Sequence, residues 1–164
     1  NMPLIEPQEW KETHKIEEFV IVIDTSMSCS GDLVRKFLEE TYHILAETES
    51  FFRKVHIRIL QCDDAVRADQ LITTGEELKQ YMDHLQLYGD GGTDFRPAFT
   101  YVQQLIDQGE FKNLKGLLYF TDGKGTFPRK RPPYDAAFIL FREDYKEVSV
   151  PPWAIRLMLD EEDL

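Results

Sequence analysis

Five consecutive apolar residues, Phe19-Val20-Ile21-Val22-Ile23, run directly into the polar stretch Asp24-Thr25-Ser26-Met27-Ser28. A short, uninterrupted and β-branched run predicts a strand that is buried on both faces, as in a parallel sheet. Ligands bind outside the carboxyl ends of such strands in open α/β sheets. Asp24, Ser26 and Ser28 place hard oxygen donors at alternate positions there, and such donors suit Mg²⁺, Mn²⁺ or Ca²⁺ better than soft metals.

The rest of the chain alternates predicted strands and helices. We predict strands over residues 17–24, 55–60, 66–72, 117–120, 136–141 and 154–159, and helices over 32–48, after Thr74 and over 96–108. This alternation predicts a three-layer α/β/α, Rossmann-like fold. Right-handed crossovers favour the strand order 3-2-1-4-5-6, with the short third strand as the antiparallel edge. The last third, after Asp122, contains few helices because it is rich in glycine and proline.

The length and charge of the chain limit its organisation and its partners. With 164 residues, the chain is long enough for one domain with a substantial core. We expect residues 1–15 to form an irregular arm and residues 16–164 to form the domain, which could itself be part of a longer protein. The net charge of −11 argues against nucleic acid as a partner, because nucleic-acid binding needs a basic surface.

Three features predict a cytoplasmic location. No apolar stretch is long enough to span a bilayer, and no secretory signal is visible. The two cysteines, Cys29 and Cys62, do not make a disulfide framework and are more typical of a reduced compartment.

Two further polar loops are predicted at the same edge of the sheet as Asp24. Thr93 lies in a glycine-rich loop before a helix, and Asp122 follows a buried strand. The predicted strand order places Asp24 and Asp122 across one crevice, with the Thr93 loop above them. Each residue alone could be a helix cap or a turn residue, but five oxygen donors at one edge favour a metal site.

These residues resemble the metal-ion-dependent adhesion site (MIDAS) of von Willebrand factor A (VWA) domains. That family carries Asp-x-Ser-x-Ser after its first strand, matched by Asp24, Ser26 and Ser28, a Thr before a helix, matched by Thr93, and an Asp after its fourth strand, matched by Asp122. The chain is similar in particular to the carboxyl-terminal VWA-like domain of bacterial metallopeptidase-like proteins, through residues 62–66, 92–97 and 125–128. The resemblance covers about residues 16–159.

The resemblance implies a protein–protein interaction module and no enzyme activity. Ser26, Ser28 and Thr93 would bind Mg²⁺, or else Mn²⁺ or Ca²⁺, through neutral hydroxyls, while Asp24 and Asp122 act directly or through water. One coordination position would stay open to an Asp or Glu carboxylate of a partner. The resemblance also implies that the domain belongs to a larger protein and points to a MoxR-type AAA+ ATPase as a partner.

A Mg²⁺-dependent phosphatase or phosphotransferase of the haloacid dehalogenase type is the alternative. Such enzymes also carry an Asp after the first strand, but they need a second Asp two residues later, where this chain has Ser26. No phosphate-cradling Gly-x-x-x-x-Gly-Lys-Ser/Thr loop and no Gly-x-Gly-x-x-Gly motif occurs.

Two surface features complete the sequence-based expectations. Lys124, Arg129, Lys130 and Arg131 form a basic cluster in an acidic chain, and we expect them to rim the metal face and steer an acidic partner toward it. With few helices in the last third, we expect some apolar side chains to be incompletely covered and to pack on the rest of a longer polypeptide or on a second copy. These side chains are Phe138, Phe141, Trp153, Ile155 and Leu157.

Overall fold

A computed structural model describes residues 18–26, 31–47, 54–89, 91–141 and 149–159. Within these ranges the chain alternates strands and helices as the sequence predicts, with bounds that differ by one or two residues. The elements are β1 (Glu18–Asp24), α1 (Gly31–Ala46), β2 (His56–Cys62), β3 (Val66–Ile72), α2 (Gly75–Asp83), α3 (Arg96–Asp107), β4 (Gly116–Thr121), β5 (Asp135–Phe141) and β6 (Ile155–Leu159).

The six strands form one sheet in the order β3-β2-β1-β4-β5-β6. All neighbours are parallel except β3, which runs antiparallel to β2 at the edge. The predicted Rossmann-like fold, strand order and antiparallel third strand are therefore confirmed. β1 lies between β2 and β4, so Asp24 is level with Cys62 on one side, and Ile23 is level with Phe120 on the other. The strand order reverses between β1 and β4, and in open α/β sheets this is the point at whose carboxyl ends ligands bind.

The alternation of side chains along β1 explains why its apolar run is uninterrupted. Val20 and Val22 pack into the core under α3, whereas Ile21 and Ile23 pack into the core under α1 and α2. Both faces of the central strand are therefore covered, as a buried parallel strand requires. The predicted start of α2 is also present, since the Thr74 hydroxyl accepts a hydrogen bond from the Glu77 amide.

The last third covers one sheet face with loops. Within the described part of the chain no helix follows β4. Instead, Phe127, Tyr134 and Trp153 from the connections to β5 and β6 pack into the core beneath α3. Phe138 is fully buried there, so the expectation that it is incompletely covered is wrong. Aromatic side chains from these loops cover the sheet where a helix would otherwise lie. The prolines and glycines of the loops do not indicate which side chains point inward.

The opposite face of β6 is open within the described residues. Ile155 is 51% exposed and Leu157 46% exposed, as expected for these two residues. The side chain of Phe141 lies outside what the structure describes. No helix within the described ranges is long and apolar enough to span a bilayer. Cys62 is a buried free thiol, and Cys29 lies outside the described residues.

The stacked pair Phe37 and Phe120 allows a test of this core. Phe120 is 0% exposed, and its ring lies 4.4 Å from that of Phe37, centre to centre. We expect Phe120→Ala to lower the free energy of unfolding by about 3–5 kcal/mol, because it leaves a cavity between α1 and β4. Urea unfolding followed by circular dichroism measures the change. The control Leu71→Ala lies on the exposed edge strand and should change stability by less than about 0.5 kcal/mol. Equal midpoints for the two variants would contradict the packing described.

Candidate metal centre

Asp24 joins the ends of the two central strands. Its side chain is 0% exposed. One carboxylate oxygen, Oδ1, accepts a hydrogen bond from the Ser26 amide at 2.9 Å. The other, Oδ2, accepts one from the hydroxyl of Thr121 at the end of β4. The Ser26 side chain also hydrogen-bonds this carboxylate, so Asp24 orients one of the predicted hydroxyl ligands.

The environment of Asp24 favours a nearby positive charge. Burial raises the pKa of this carboxyl, hydrogen bonds from Ser26 and Thr121 oppose the rise, and the neighbouring Asp122 adds to it. A buried carboxylate beside a second one is costly, since both desolvation and like-charge repulsion disfavour its ionised form. A divalent cation between the two strand ends would offset both effects.

Asp122 is held by a tight turn after β4. Its carboxylate accepts a hydrogen bond from the Lys124 amide at 2.9 Å, and the intervening Gly123 adopts φ +87°. The Gly123 amide donates to the Thr121 hydroxyl at 3.1 Å. Because this positive φ favours glycine, the turn requires Gly123 directly after Asp122. Thr121 thus connects the turn that carries Asp122 to the carboxylate of Asp24.

The loop that carries Thr93 is fixed on both sides. The Asp94 amide donates to the Asp63 carbonyl at the end of β2 at 3.1 Å, and the Phe95 amide donates to the Thr126 carbonyl beyond β4 at 3.0 Å. A Cβ atom added to Gly125 would lie 2.9 Å from the Thr93 methyl group, so that glycine permits the close approach. The half-buried Thr93 is therefore held against the loop that follows Asp122.

Asp94 has a different role from its neighbour Thr93. Its carboxylate accepts hydrogen bonds from the Arg96 amide at 3.0 Å and from the Arg96 guanidinium at 2.9 Å. The Arg96 side chain holds the pKa of Asp94 below its ordinary value despite partial burial. Asp94 thus supports the start of α3 by binding the amide of its first residue. Because Arg96 binds the Asp94 carboxylate, Thr93 is the candidate metal ligand of this loop.

Asp63 is a positioning residue at the end of β2. It is 2% exposed, and its carboxylate accepts from the Gly91 amide at 3.0 Å and from Arg67 Nε at 2.7 Å. Its carboxylate also accepts a hydrogen bond from the Ala65 amide at 3.2 Å. This contact is typical of an Asp in a turn after a strand. The contact with Gly91, 28 residues away, has no local signal. Asp63 therefore ties the glycine-rich loop to the end of β2.

The structure brings most of the predicted metal ligands to one edge of the sheet. Asp24, Ser26 and Asp122 are buried at the ends of β1 and β4, and the Thr93 loop packs against the same edge. Ser28 lies outside the described residues. The basic cluster Lys124, Arg129, Lys130 and Arg131 is exposed in the loop that leaves Asp122.

The donor set at this edge fits a hard cation held partly by hydroxyl groups. No group of three His, Cys, Asp or Glu side chains arranged to hold a metal occurs within the described ranges. A cation here would thus depend on Ser and Thr hydroxyls together with the two aspartates. Oxygen ligands of this kind suit Mg²⁺, Mn²⁺ or Ca²⁺, whereas a soft metal would need sulfur or imidazole.

Comparison with known families decides the relationship of the chain. Residues 19–160 match the VWA-like domain family DUF2201. The chain belongs to this family. The match includes every described element of the sheet, from β1 to β6. Among curated proteins no relative of this chain was found.

Several solved structures share the fold of this family member. Proximal thread matrix protein 1 from the mussel byssus, with zinc in its MIDAS motif, has 12% identity and a TM-score of 0.61 over 88% of this chain and 44% of its own. The SpRpn10 VWA domain has 12% identity and a TM-score of 0.56, covering 88% of each chain. BatB from Bacteroides thetaiotaomicron has 11% identity and a TM-score of 0.58, covering 88% of this chain and 90% of its own.

At 11–12% identity, these likenesses establish the fold alone. The DUF2201 chain spans less than half the length of the mussel protein, so the activity of that whole protein is not transferred to it. What the neighbours share with this chain is the arrangement of strands that places Asp24 and Asp122 side by side.

The hydrogen bonds of Asp63 predict a specific dependence of stability on pH. Burial alone would raise the pKa of Asp63, but the hydrogen bonds from Arg67, Ala65 and Gly91 outweigh it and lower the pKa to about 2. The folded state thus holds this pKa below that of the unfolded chain. Ionised Asp63 therefore stabilises the fold above about pH 4, and this contribution is lost as the pH falls toward 2.

We expect Asp63→Asn to lower the free energy of unfolding at pH 6 by on the order of 1 kcal/mol. The loss is no larger because the Arg67 side chain is partly exposed, and solvent screens its charge. The difference from wild type should shrink by pH 3, as urea unfolding at the two pH values would show. Asp64→Asn is the matched control, because Asp64 also pairs with Arg67 but is mostly exposed. A constant difference between Asp63→Asn and wild type at both pH values would contradict the assignment.

Proposed function

We propose that this DUF2201 domain is a divalent-metal-dependent protein interaction module. It captures an Asp or Glu carboxylate of a protein partner at a complete MIDAS site. The observation that carries the proposal is the buried pair Asp24 and Asp122 at adjacent strand ends, joined through the Thr121 hydroxyl. The domain is a binding module without catalytic residues in this proposal.

Five side chains would hold the ion. The hydroxyls of Ser26, Ser28 and Thr93 would bind it, and Asp24 and Asp122 would bind directly or through water and orient those hydroxyls. When bound, the ion supplies a positive charge that attracts an anionic oxygen of the partner, because neutral hydroxyl ligands leave most of its charge unneutralised. Mg²⁺ is the proposed ion, with Mn²⁺ or Ca²⁺ as substitutes. The zinc in the MIDAS motif of the mussel protein supports a divalent ion in this fold.

The cellular setting is proposed from the sequence resemblance alone. The domain, residues 16–164, would be part of a larger cytoplasmic bacterial protein of the metallopeptidase-like type. A MoxR-type AAA+ ATPase that presents an acidic residue is the proposed partner. Membranes and nucleic acid are not proposed as partners, and the net charge of −11 supports the exclusion of nucleic acid.

Metal-dependent stabilisation tests the proposal directly. We expect millimolar Mg²⁺ to raise the unfolding temperature of the wild type, because an ion that binds only the folded state stabilises it by about 2.7 kcal/mol at a hundredfold excess over Kd. Thr93→Ala removes one hydroxyl and should reduce the shift. Asp24→Ala should abolish it, provided that the variant folds. Thr100→Ala, at an exposed position of α3, is the control that should keep the full shift. Differential scanning calorimetry with Mg²⁺ and with EDTA makes the measurement.

The absence of any Mg²⁺ or Mn²⁺ shift in the wild type would contradict the proposal. Metal-dependent hydrolysis of a phosphate ester such as para-nitrophenyl phosphate, lost on Asp24→Asn, would favour the haloacid dehalogenase alternative instead.

The open apolar face is the proposed contact with the rest of a longer polypeptide. A groove of about 340 Å³ lies between α1 and the sheet, with Phe19, Ile44 and Leu157 among its lining residues. Ile44 is 60% exposed at its rim. Exposed apolar patches of this kind usually mark interfaces.

We expect Leu157→Asp to lower the fluorescence of the dye 8-anilinonaphthalene-1-sulfonate bound to the isolated chain by about half, because it adds a charge to this apolar groove. Leu71→Asp, on the edge strand, is the matched control and should have little effect. If both variants bind the dye as the wild type does, the groove is not an accessible apolar surface.

A further inference from the structure

A second groove lies along α3 on the other face of the sheet. It has a volume of about 700 Å³ and runs between α3 and the loop formed by residues 128–134. Gln103 and Gln104 of α3 line one side, and Lys130 and Arg131 line the other. The proposed metal centre does not include these residues.

The floor of this groove is apolar and well supported. The rings of Phe99 and Tyr134 are almost parallel, with their centres 6.5 Å apart, and both side chains are buried. Three prolines, at positions 128, 132 and 133, lie in the loop on the basic side. Because each proline fixes its φ angle, the loop loses little conformational freedom when a ligand binds.

The charge of the groove is opposite to that of the chain as a whole. The protein has 30 acidic and 19 basic residues. Arg58, Arg67 and Arg96 form ion pairs with aspartate or glutamate side chains. By contrast, the three consecutive basic residues 129–131 are exposed and form no ion pair with any residue that the structure describes. Their unpaired charge beside a groove fits an acidic occupant.

One loop connects the groove to the proposed metal centre. The loop that forms its basic side leaves the sheet at Asp122, and the Thr126 carbonyl of this loop accepts from the Phe95 amide just before α3. From Arg96 to Gln104 the helix rises by about 12 Å, at 1.5 Å per residue. An extended peptide spans that distance with about four residues.

We propose that this groove binds an extended acidic segment of the protein partner whose carboxylate reaches the metal. The inference rests on the proposed function and specifies the partner further. The partner presents several consecutive acidic residues instead of one isolated carboxylate. One acidic side chain binds at the metal centre, the backbone lies over the Phe99 and Tyr134 rings, and further carboxylates pair with Lys130 and Arg131. The amide side chain of Gln104 is placed to hydrogen-bond the peptide backbone.

The probe for this inference is a fluorescein-labelled octaglutamate peptide, with octaglutamine as the neutral comparison. Fluorescence anisotropy would give its Kd for the full chain in Mg²⁺ and in EDTA. We expect the double variant Lys130→Glu/Arg131→Glu to bind octaglutamate about tenfold more weakly in both conditions. Octaglutamine should bind much more weakly than octaglutamate to the wild type.

The matched control is the double variant Lys36→Glu/Lys79→Glu. It changes the net charge by the same amount, at exposed positions of α1 and α2 on the opposite face of the sheet. We expect its Kd to change by less than about threefold, because exposed charges beyond a Debye length are screened at physiological salt. Equal weakening by the two double variants would overturn the inference, since only net charge would then matter. Failure of the wild type to bind octaglutamate in either condition would overturn it as well.

The Thr93→Ala variant separates this inference from the proposed function. It should lose the Mg²⁺-dependent part of octaglutamate binding and keep the part that persists in EDTA. Binding that is independent of Mg²⁺ in the wild type, yet selectively weakened by Lys130→Glu/Arg131→Glu, would support the groove and contradict the metal module. Binding that depends on Mg²⁺ but is unchanged in that double variant would support the metal module and overturn the groove.

Discussion

The buried carboxylate of Asp24 is the constraint on which the rest of this edge of the sheet depends. An ionised group in the interior is costly unless its lone pairs are satisfied. Here the Ser26 amide and the Thr121 hydroxyl each satisfy one oxygen, and Thr121 belongs to the neighbouring strand. The hydrogen bond between Asp24 and Thr121 therefore fixes β1 and β4 relative to each other at the point where their polar ends meet. The turn that carries Asp122 is attached to the same hydroxyl.

A second carboxylate, Asp63, fixes the third part of the site in a comparable way. Its contacts with Gly91 and Arg67 hold the glycine-rich loop, and the backbone bonds of Asp94 and Phe95 continue this support to both sides. Glycine-rich loops lose much conformational entropy on ordering, so Thr93 would not keep one position without such anchors. The proposed site thus combines ligand residues at strand ends with a loop whose position depends on residues that do not bind the ion.

The sequence was sufficient to predict the fold and the edge of the sheet at which Asp24, Ser26 and Asp122 lie. It was not sufficient to predict the contacts that hold this edge in place. Runs such as Val20 to Ile23 have a length and a composition that indicate buried strands. Right-handed connections then restrict the strand order. The link from Asp63 to Gly91 joins residues far apart in the chain and leaves no periodic signal. The aromatic loops that bury Phe138 were also missed, because a loop rich in proline and glycine gives no indication of which side chains it directs inward. Long-range contacts of irregular segments are decided by packing, which local patterns do not encode.

The overall acidity of the chain bears on how an acidic partner could bind at all. A protein with a net charge of −11 repels anions at long range, yet at physiological salt this repulsion is screened beyond about 8 Å. Within that distance the local charges decide. A divalent ion between Asp24 and Asp122, together with the exposed basic residues 129–131, would give one surface a positive potential on an otherwise negative molecule. Acidic segments would then bind at this surface and be repelled elsewhere, so the net charge would increase specificity for the site and reduce binding to the remaining surface.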